Sequence, residues 1–205
     1  MIGLINYGSG NIHAIANIYK RLNIGYEILT DPLTFKKVDK LILPGVGAFD
    51  ETMNLLNLSG MKEELDELVL SKKMPILGVC VGMQILGNGS EEGNKAGFGW
   101  IKGLVKKLDY TKLEQKPYLP HLGWNSIKPI HPGHGLYNQV DFEKGYYFLH
   151  SYYFECQSDT NILSTTTYGI DFASSINYEN VYGVQFHPEK SHENGIQLFK
   201  NYANL

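Results

Sequence analysis

The sequence predicts an α/β fold, a single domain with a mixed, mainly parallel central sheet flanked by helices. Short apolar runs alternate with helix-spaced segments from Ile2 to Gly87, the pattern of parallel strands joined by right-handed crossovers. Past Gly103 the runs become short, β-rich and separated by turn residues, which adds strands, some antiparallel, to the same sheet. Between these halves lies Pro75–Gly87, a buried-strand pattern, then a turn flanked by Gly78 and Gly82, then a resumed apolar run.

Composition bounds the reading. The 205 residues are 43% hydrophobic and 19% charged, enough apolar material for one core and one domain over 1–205. A net charge of −3 without any basic block excludes an electrostatic nucleic-acid footprint. No apolar run approaches the roughly 20 residues of a membrane span. The opening Met1-Ile-Gly-Leu-Ile-Asn6 lacks a basic segment and a cleavage site. The two cysteines, Cys80 and Cys156, stand far apart without metal-finger spacing, so free thiols in a cytoplasmic setting are expected.

In chain order, Ile2–Asn6 reads as the opening strand and Tyr7–Asn11 as a turn. Ile12, Ile15, Ala16, Tyr19 and Leu22 follow at helical spacing. Gly8-Ser9-Gly10 is a poor dinucleotide fingerprint, because His13 stands where a third glycine belongs; a βα turn facing a ligand or partner is expected. Tyr26–Leu29 and Lys40–Pro44 are further strands, the latter ending in Gly45-Val46-Gly47. Met61–Lys73 is an amphipathic helix with Leu65, Leu68 and Val69 inward, acids early and lysines late. After the Cys80 strand come strands at Gly103–Leu108, Tyr146–Phe154, Ile162–Thr167, Phe172–Tyr178 and Val181–Phe186. Asn177–Asn180 reads as a hairpin connection and Glu193–Asn204 as a closing helix. Sites in parallel sheets gather beyond the carboxyl ends of strands, so Tyr7–Asn11, Gly45–Gly47 and Cys80 are expected to face one way.

The chemistry centres on Gly78-Val79-Cys80-Val81-Gly82, the thiol counterpart of a nucleophile elbow. Cys80 would sit at a helix N-terminus, where unpaired N–H groups favour thiolate. The spacing alone fits a cysteine buried in an ordinary βα turn equally well. A cysteine nucleophile needs a base. Gly183–Phe186 leads into His187-Pro188-Glu189, where proline ends the strand and an extended chain puts His187 and Glu189 on one side. Glu189 can accept from one ring nitrogen while the other meets Cys80. Alone, this tripeptide fits a surface turn; paired with the elbow, it completes a Cys80–His187–Glu189 triad. Gly45-Val46-Gly47 suits a second oxyanion donor, and suits a structural turn as well. His131-Pro132-Gly133-His134 has no acids nearby and reads as an exposed turn, so no metal is assigned. No P-loop motif is present.

Leu43-Pro-Gly-Val-Gly-Ala48, Gly78-Val-Cys-Val-Gly-Met-Gln84 and Val184-Gln-Phe-His-Pro-Glu189, in this order, resemble the class I, triad-type glutamine amidotransferases. Tyr7-Gly-Ser-Gly-Asn11 and Leu119-Pro-His-Leu-Gly-Trp-Asn125 are similar to the glutaminase subunits of imidazole glycerol phosphate synthases. The resemblance spans essentially the whole chain; 109–116 carries no motif. It implies that Cys80 attacks the side-chain amide of glutamine, that His187, held by Glu189, shuttles protons, and that water releases glutamate from a thioester. It implies oxyanion donors at Val81 and in the Val46–Gly47 loop, and glutamine contacts from Gln84, Glu92, Ser151 and Tyr152. Glu92 would meet the substrate ammonium, and Ser151 keeps the hydroxyl of the threonine common in relatives. Asn11, Trp124, Asn125 and Lys190 would face a (β/α)8 cyclase in a heterodimer, with no cofactor in this subunit. That partner would combine the ammonia with a ribulose-phosphate intermediate of histidine biosynthesis, giving imidazole glycerol phosphate and an aminoimidazole carboxamide ribotide. His121 and His150 would be loop or packing residues.

Three other readings stand beside this one. The same glutaminase chemistry could feed a partner that modifies surface sugars. A free-standing γ-glutamyl hydrolase is countered by Leu119–Asn125, which reads as a docking loop, and by the lack of a lid insertion. An inactive binding subunit is countered by the intact Cys80, His187 and Glu189.

Overall fold

A computed structural model of the chain describes residues 1–109, 111, 113 and 119–205, so most of the motif-free 109–116 stretch lies outside it. The first half contains β1 (Ile2–Ile5), α1 (Ile12–Arg21), β2 (Tyr26–Leu29), β3 (Lys40–Gly45), α2 (Phe49–Leu58), α3 (Lys62–Asp66), β4 (Ile76–Cys80) and α4 (Val81–Gln84). The second contains β5 (Gly89–Ser90), β6 (Gly103–Lys107), β7 (His121–Asn125), β8 (Lys128–Pro129), β9 (Tyr146–His150) and β10 (Tyr152–Cys156). β11 (Ile162–Tyr168), β12 (Ile170–Tyr178), β13 (Val181–Val184) and α5 (His192–Asn204) complete it.

The main sheet has eight strands in the order β2-β1-β3-β4-β13-β12-β11-β8. The run from β2 to β13 is parallel, and β12, β11 and β8 pair antiparallel beyond it. β4 is central and buried along its whole length, as an apolar run covered on both faces must be. Register places the site: Gly45 of β3 lies opposite Cys80, while Val184 of β13 lies opposite Val79. The chain leaving β13 therefore emerges beside the cysteine.

Helices cover the sheet with the faces their periodicity selects. Ile12, Ile15, Ala16 and Tyr19 of α1 are buried, and the Tyr19 ring lies 5.7 Å from that of Phe199 on α5. Leu65, Leu68 and Val69 are buried as expected, although after Asp66 the helix widens into a π-turn at Glu67–Ser71. The sequence reading did not mark α2, yet Phe49, Met53 and Leu56 give it an inner face at i, i+4 and i+7.

Three expectations change. Tyr146–Phe154 is not one strand; it breaks at Ser151, and its halves enter different small sheets. β9 pairs antiparallel with β7, and β10 joins a three-stranded sheet in the order β10-β6-β5. The added strands therefore do not all extend the main sheet. The cause is packing: Phe148 of β9 meets Phe186 and Phe172 edge to face at 5.6 and 6.1 Å, so the β7–β9 pair forms a layer over the sheet. Likewise Leu119–Asn125, expected as a docking loop, is mostly strand β7, with His121 buried and Leu122 and Trp124 outward.

Candidate active site

Cys80 closes β4 in a conformation that side chains rarely adopt, φ 56° and ψ −112°, and α4 starts at the next residue. Such strain persists only where surroundings hold it. Here the chain doubles back so tightly that a Cβ on Gly82 would lie 1.9 Å from the Leu43 carbonyl oxygen, and one on Gly78 2.5 Å from that of Gly82. The elbow thus needs glycine at both positions. As the first residue of α4, Val81 presents an N–H without an intrahelical acceptor.

His187 is buried and donates through Nδ1 to Glu189 Oε1 at 2.8 Å, while its ring lines the same cavity as Cys80. The means differ from the expected extended chain. Pro188 opens a single 3-10 turn over Pro188–Lys190, and this turn curls the glutamate back onto the ring. The His187 backbone is fixed by its N–H to Tyr147 O at 2.8 Å and by the Ser191 hydroxyl on its carbonyl at 2.6 Å. Burial works against an imidazolium, but the neighbouring Cys80 and Glu189 outweigh it and raise His187 above its ordinary value. Burial likewise works against the Glu189 carboxylate, and hydrogen bonds from His187 and Asn11 outweigh it, lowering its pKa. The arrangement suits a proton-carrying histidine steadied by a carboxylate beside the cysteine.

A cavity of about 450 Å³ opens over Cys80, lined by Val46, Gly47, Gln84, Glu92, Ser151, Tyr152, His187 and Lys190 among others. All four residues expected to contact glutamine reach it. Gln84 is already engaged: its Nε2 donates to Tyr152 O at 3.0 Å and to Gln185 Oε1 at 3.1 Å. Gln185 in turn points Nε2 at Cys80 Sγ, 3.8 Å away. Sequence reasoning missed Gln185, though a fully buried amide between the apolar Val184 and Phe186 was a visible signal. Glu92 Oε2 accepts the Phe49 N–H at the start of α2, which anchors the carboxylate at the cavity wall.

Of the residues expected to hold the oxyanion, Val46 is engaged elsewhere in this structure. Its N–H is not turned to Cys80; it donates to Ser9 Oγ at 3.0 Å. The Ser9 hydroxyl donates back to the Val46 carbonyl, also at 3.0 Å. Gly47, at φ 95°, has the freedom that any reorientation of this loop requires.

The residues expected at a partner junction divide. Trp124 is 48% exposed and stacks on His192, with ring centroids 5.1 Å apart. Lys190 lies over the Tyr147 ring at 5.5 Å. Asn125 turns inward, donating to Thr167 O at 3.0 Å and meeting His121 Nε2 at 3.2 Å. Asn11 also turns inward, to Glu189 Oε1 at 2.7 Å. His121 and His150 are buried, 3.1 Å apart through Nδ1 and Nε2, and His121 stacks on Tyr168 and Phe148 at 4.0 and 4.7 Å. Burial lowers their pKa values to about 4 and about 3, so both are neutral at pH 7; His150 also lines the cavity over Cys80.

Known proteins resemble the chain along its length. The model of the family "Glutamine amidotransferase class-I" matches residues 3–203. The imidazole glycerol phosphate synthase subunit HisH of Leptospira borgpetersenii is 46% identical over 205 residues, all of both chains. That of Bdellovibrio bacteriovorus is 45% identical, also over all of both chains. A solved glutamine amidotransferase superposes with a TM-score of 0.73 at 14% identity, covering 100% of this chain and 99% of its own, a likeness of fold.

Proposed function

The chain belongs to the class I glutamine amidotransferases, and from that premise we propose that it is the glutaminase subunit of an imidazole glycerol phosphate synthase. The observation that carries the chemistry is His187, hydrogen-bonded to Glu189 and lining one cavity with Cys80. Likeness to the HisH subunits along the whole chain supports the pathway.

The thiolate of Cys80 attacks the side-chain amide carbon of glutamine, and the carbonyl electrons move to oxygen. Val81 N–H, with a donor from the Val46–Gly47 loop once released from Ser9, holds that oxyanion. His187 gives its proton to the departing nitrogen, ammonia leaves, and a thioester remains. Water then gives its proton to His187 and adds to the thioester; collapse expels the thiolate and frees glutamate. Glu92 takes the substrate ammonium, and Ser151 and Tyr152 flank the substrate from the β9–β10 break.

The ammonia passes to a separate (β/α)8 cyclase, which joins it to a ribulose-phosphate intermediate of histidine biosynthesis. The pair works as a cytoplasmic heterodimer, and this subunit carries no cofactor. No helix among the described residues is long and apolar enough to cross a membrane. The test is reconstitution: the purified chain plus a cyclase of this kind, with glutamate and imidazole glycerol phosphate counted together. Equal production of both supports the function; glutamate release without cyclase product, whatever the cyclase concentration, overturns the pathway.

A further inference from the structure

We propose that Asn11 is a positioning residue of the triad, holding the Glu189 carboxylate in the orientation that His187 requires. The proposal rests on the glutaminase reading above.

Asn11 stands at the N-cap of α1, where an asparagine side chain ordinarily accepts an N–H of its own helix. Among the described residues it makes no such bond. Its Nδ2 instead donates to Glu189 Oε1 at 2.7 Å, across 178 positions of sequence. Oε1 is the same oxygen that meets His187 Nδ1, whereas Oε2 is buried and has no partner among the described residues. A carboxylate bonded through one oxygen turns easily about its last, broad torsion. Two donors converging from separate elements, the β1–α1 loop and the turn after β13, remove that freedom. Asn11 thus forgoes a helix cap to steady a buried acid, which a residue serving only an interface has no need to do.

The groups that titrate around the carboxylate are His187 and, through it, Cys80; Lys190 shares its turn, and His150 and Tyr7 lie farther out, both kept neutral by burial. The same side chains surround the carboxylate in wild type and in an Asn11 variant, so a difference in pH behaviour between them originates at the Asn11–Glu189 contact. The experiment measures glutamate release by the complex at saturating cyclase, with folding checked by thermal melting. Asn11→Ala should lower kcat roughly 10- to 100-fold, the size of a hydrogen bond to a charged group, with KM for glutamine and the cyclase concentration for half-activation unchanged. Asn11→Asp supplies the finer readout. Protonated, it can still donate to Oε1; ionised, it sets two carboxylates against each other. Its activity relative to wild type should therefore fall as pH rises from about 5 to 8. The proposal is overturned if both variants reach wild-type kcat and merely need more cyclase, or if Asn11→Asp parallels wild type at every pH. A wild-type complex that releases no glutamate, or a Cys80→Ala complex that still does, would instead remove the glutaminase reading, and this proposal with it.

Discussion

Ser9 Oγ lies 3.0 Å from both the nitrogen and the carbonyl oxygen of Val46, accepting from one and donating to the other. One hydroxyl thereby pins the two peptides flanking Val46 and occupies an N–H that the proposed mechanism would turn toward the oxyanion. Ser9→Ala removes both bonds, each worth about 1 kcal/mol, so the isolated subunit should hydrolyse glutamine roughly 5- to 30-fold faster. Stimulation by the liganded cyclase should shrink by a similar factor, since less differential binding remains to be supplied. An unchanged isolated rate in a folded variant would show that Ser9 does not restrain the loop.

Cys80→Ala should abolish glutamine-dependent synthesis and leave synthesis from added ammonium largely intact. Cys156→Ala should do little. Burial, with the nearby Asp159 charge, pushes the Cys156 thiol up to about 12, so it stays protonated at neutral pH. Peptide mapping after brief iodoacetamide treatment at pH 7.5 should therefore find Cys80 modified ahead of Cys156. Preferential labelling of Cys156 would contradict this.

His187→Asn removes the proton carrier and should cost at least about 100- to 10,000-fold in kcat. Glu189→Gln can keep an oxygen toward His187 and Asn11 and should cost less. Parallel single-turnover measurements of thioester formation rank the two; near-wild-type rates in both would mean that the triad is misassigned.

Trp124→Ala should weaken association with the cyclase about 30-fold, the loss of a large aromatic anchor. It should also let glutamate outrun product, because the junction leaks ammonia. The exposed face of Trp124, braced on His192, is the structural reason. Titration of the pair with both products counted checks this, and tight binding with matched yields would refute it.

His121 and His150 bear on acid stability. Burial depresses His121 to about 4 and His150 to about 3, against 6.5 unfolded. Below pH 6.5 the unfolded chain takes up protons that the folded chain refuses, so stability present at neutral pH is lost as pH falls toward 4. The slope is about 1.4 kcal/mol per pH unit for each fully linked histidine. His121→Phe, which can keep the stacking on Phe148 and Tyr168, should flatten the fall in melting temperature between pH 6.5 and 4. An equal slope would show that the pair does not set acid stability.

The sequence by itself determined the α/β class, the cysteine elbow and the His187–Glu189 pair, because these depend on residues near one another in the chain. Period, glycine and proline placement are local signals, and the strand ends they mark bring Cys80 and His187 to one edge once β4 and β13 are neighbours. Only the tertiary structure decided what each polar side chain bonds. Asn11 steadies Glu189, Ser9 holds Val46, Gln185 reaches Cys80, and Tyr146–Phe154 divides between two sheets. Each depends on a contact between distant parts of the chain. A hydrogen bond is made to whichever group packing brings within 3 Å, and no local pattern of apolar and polar residues records that choice.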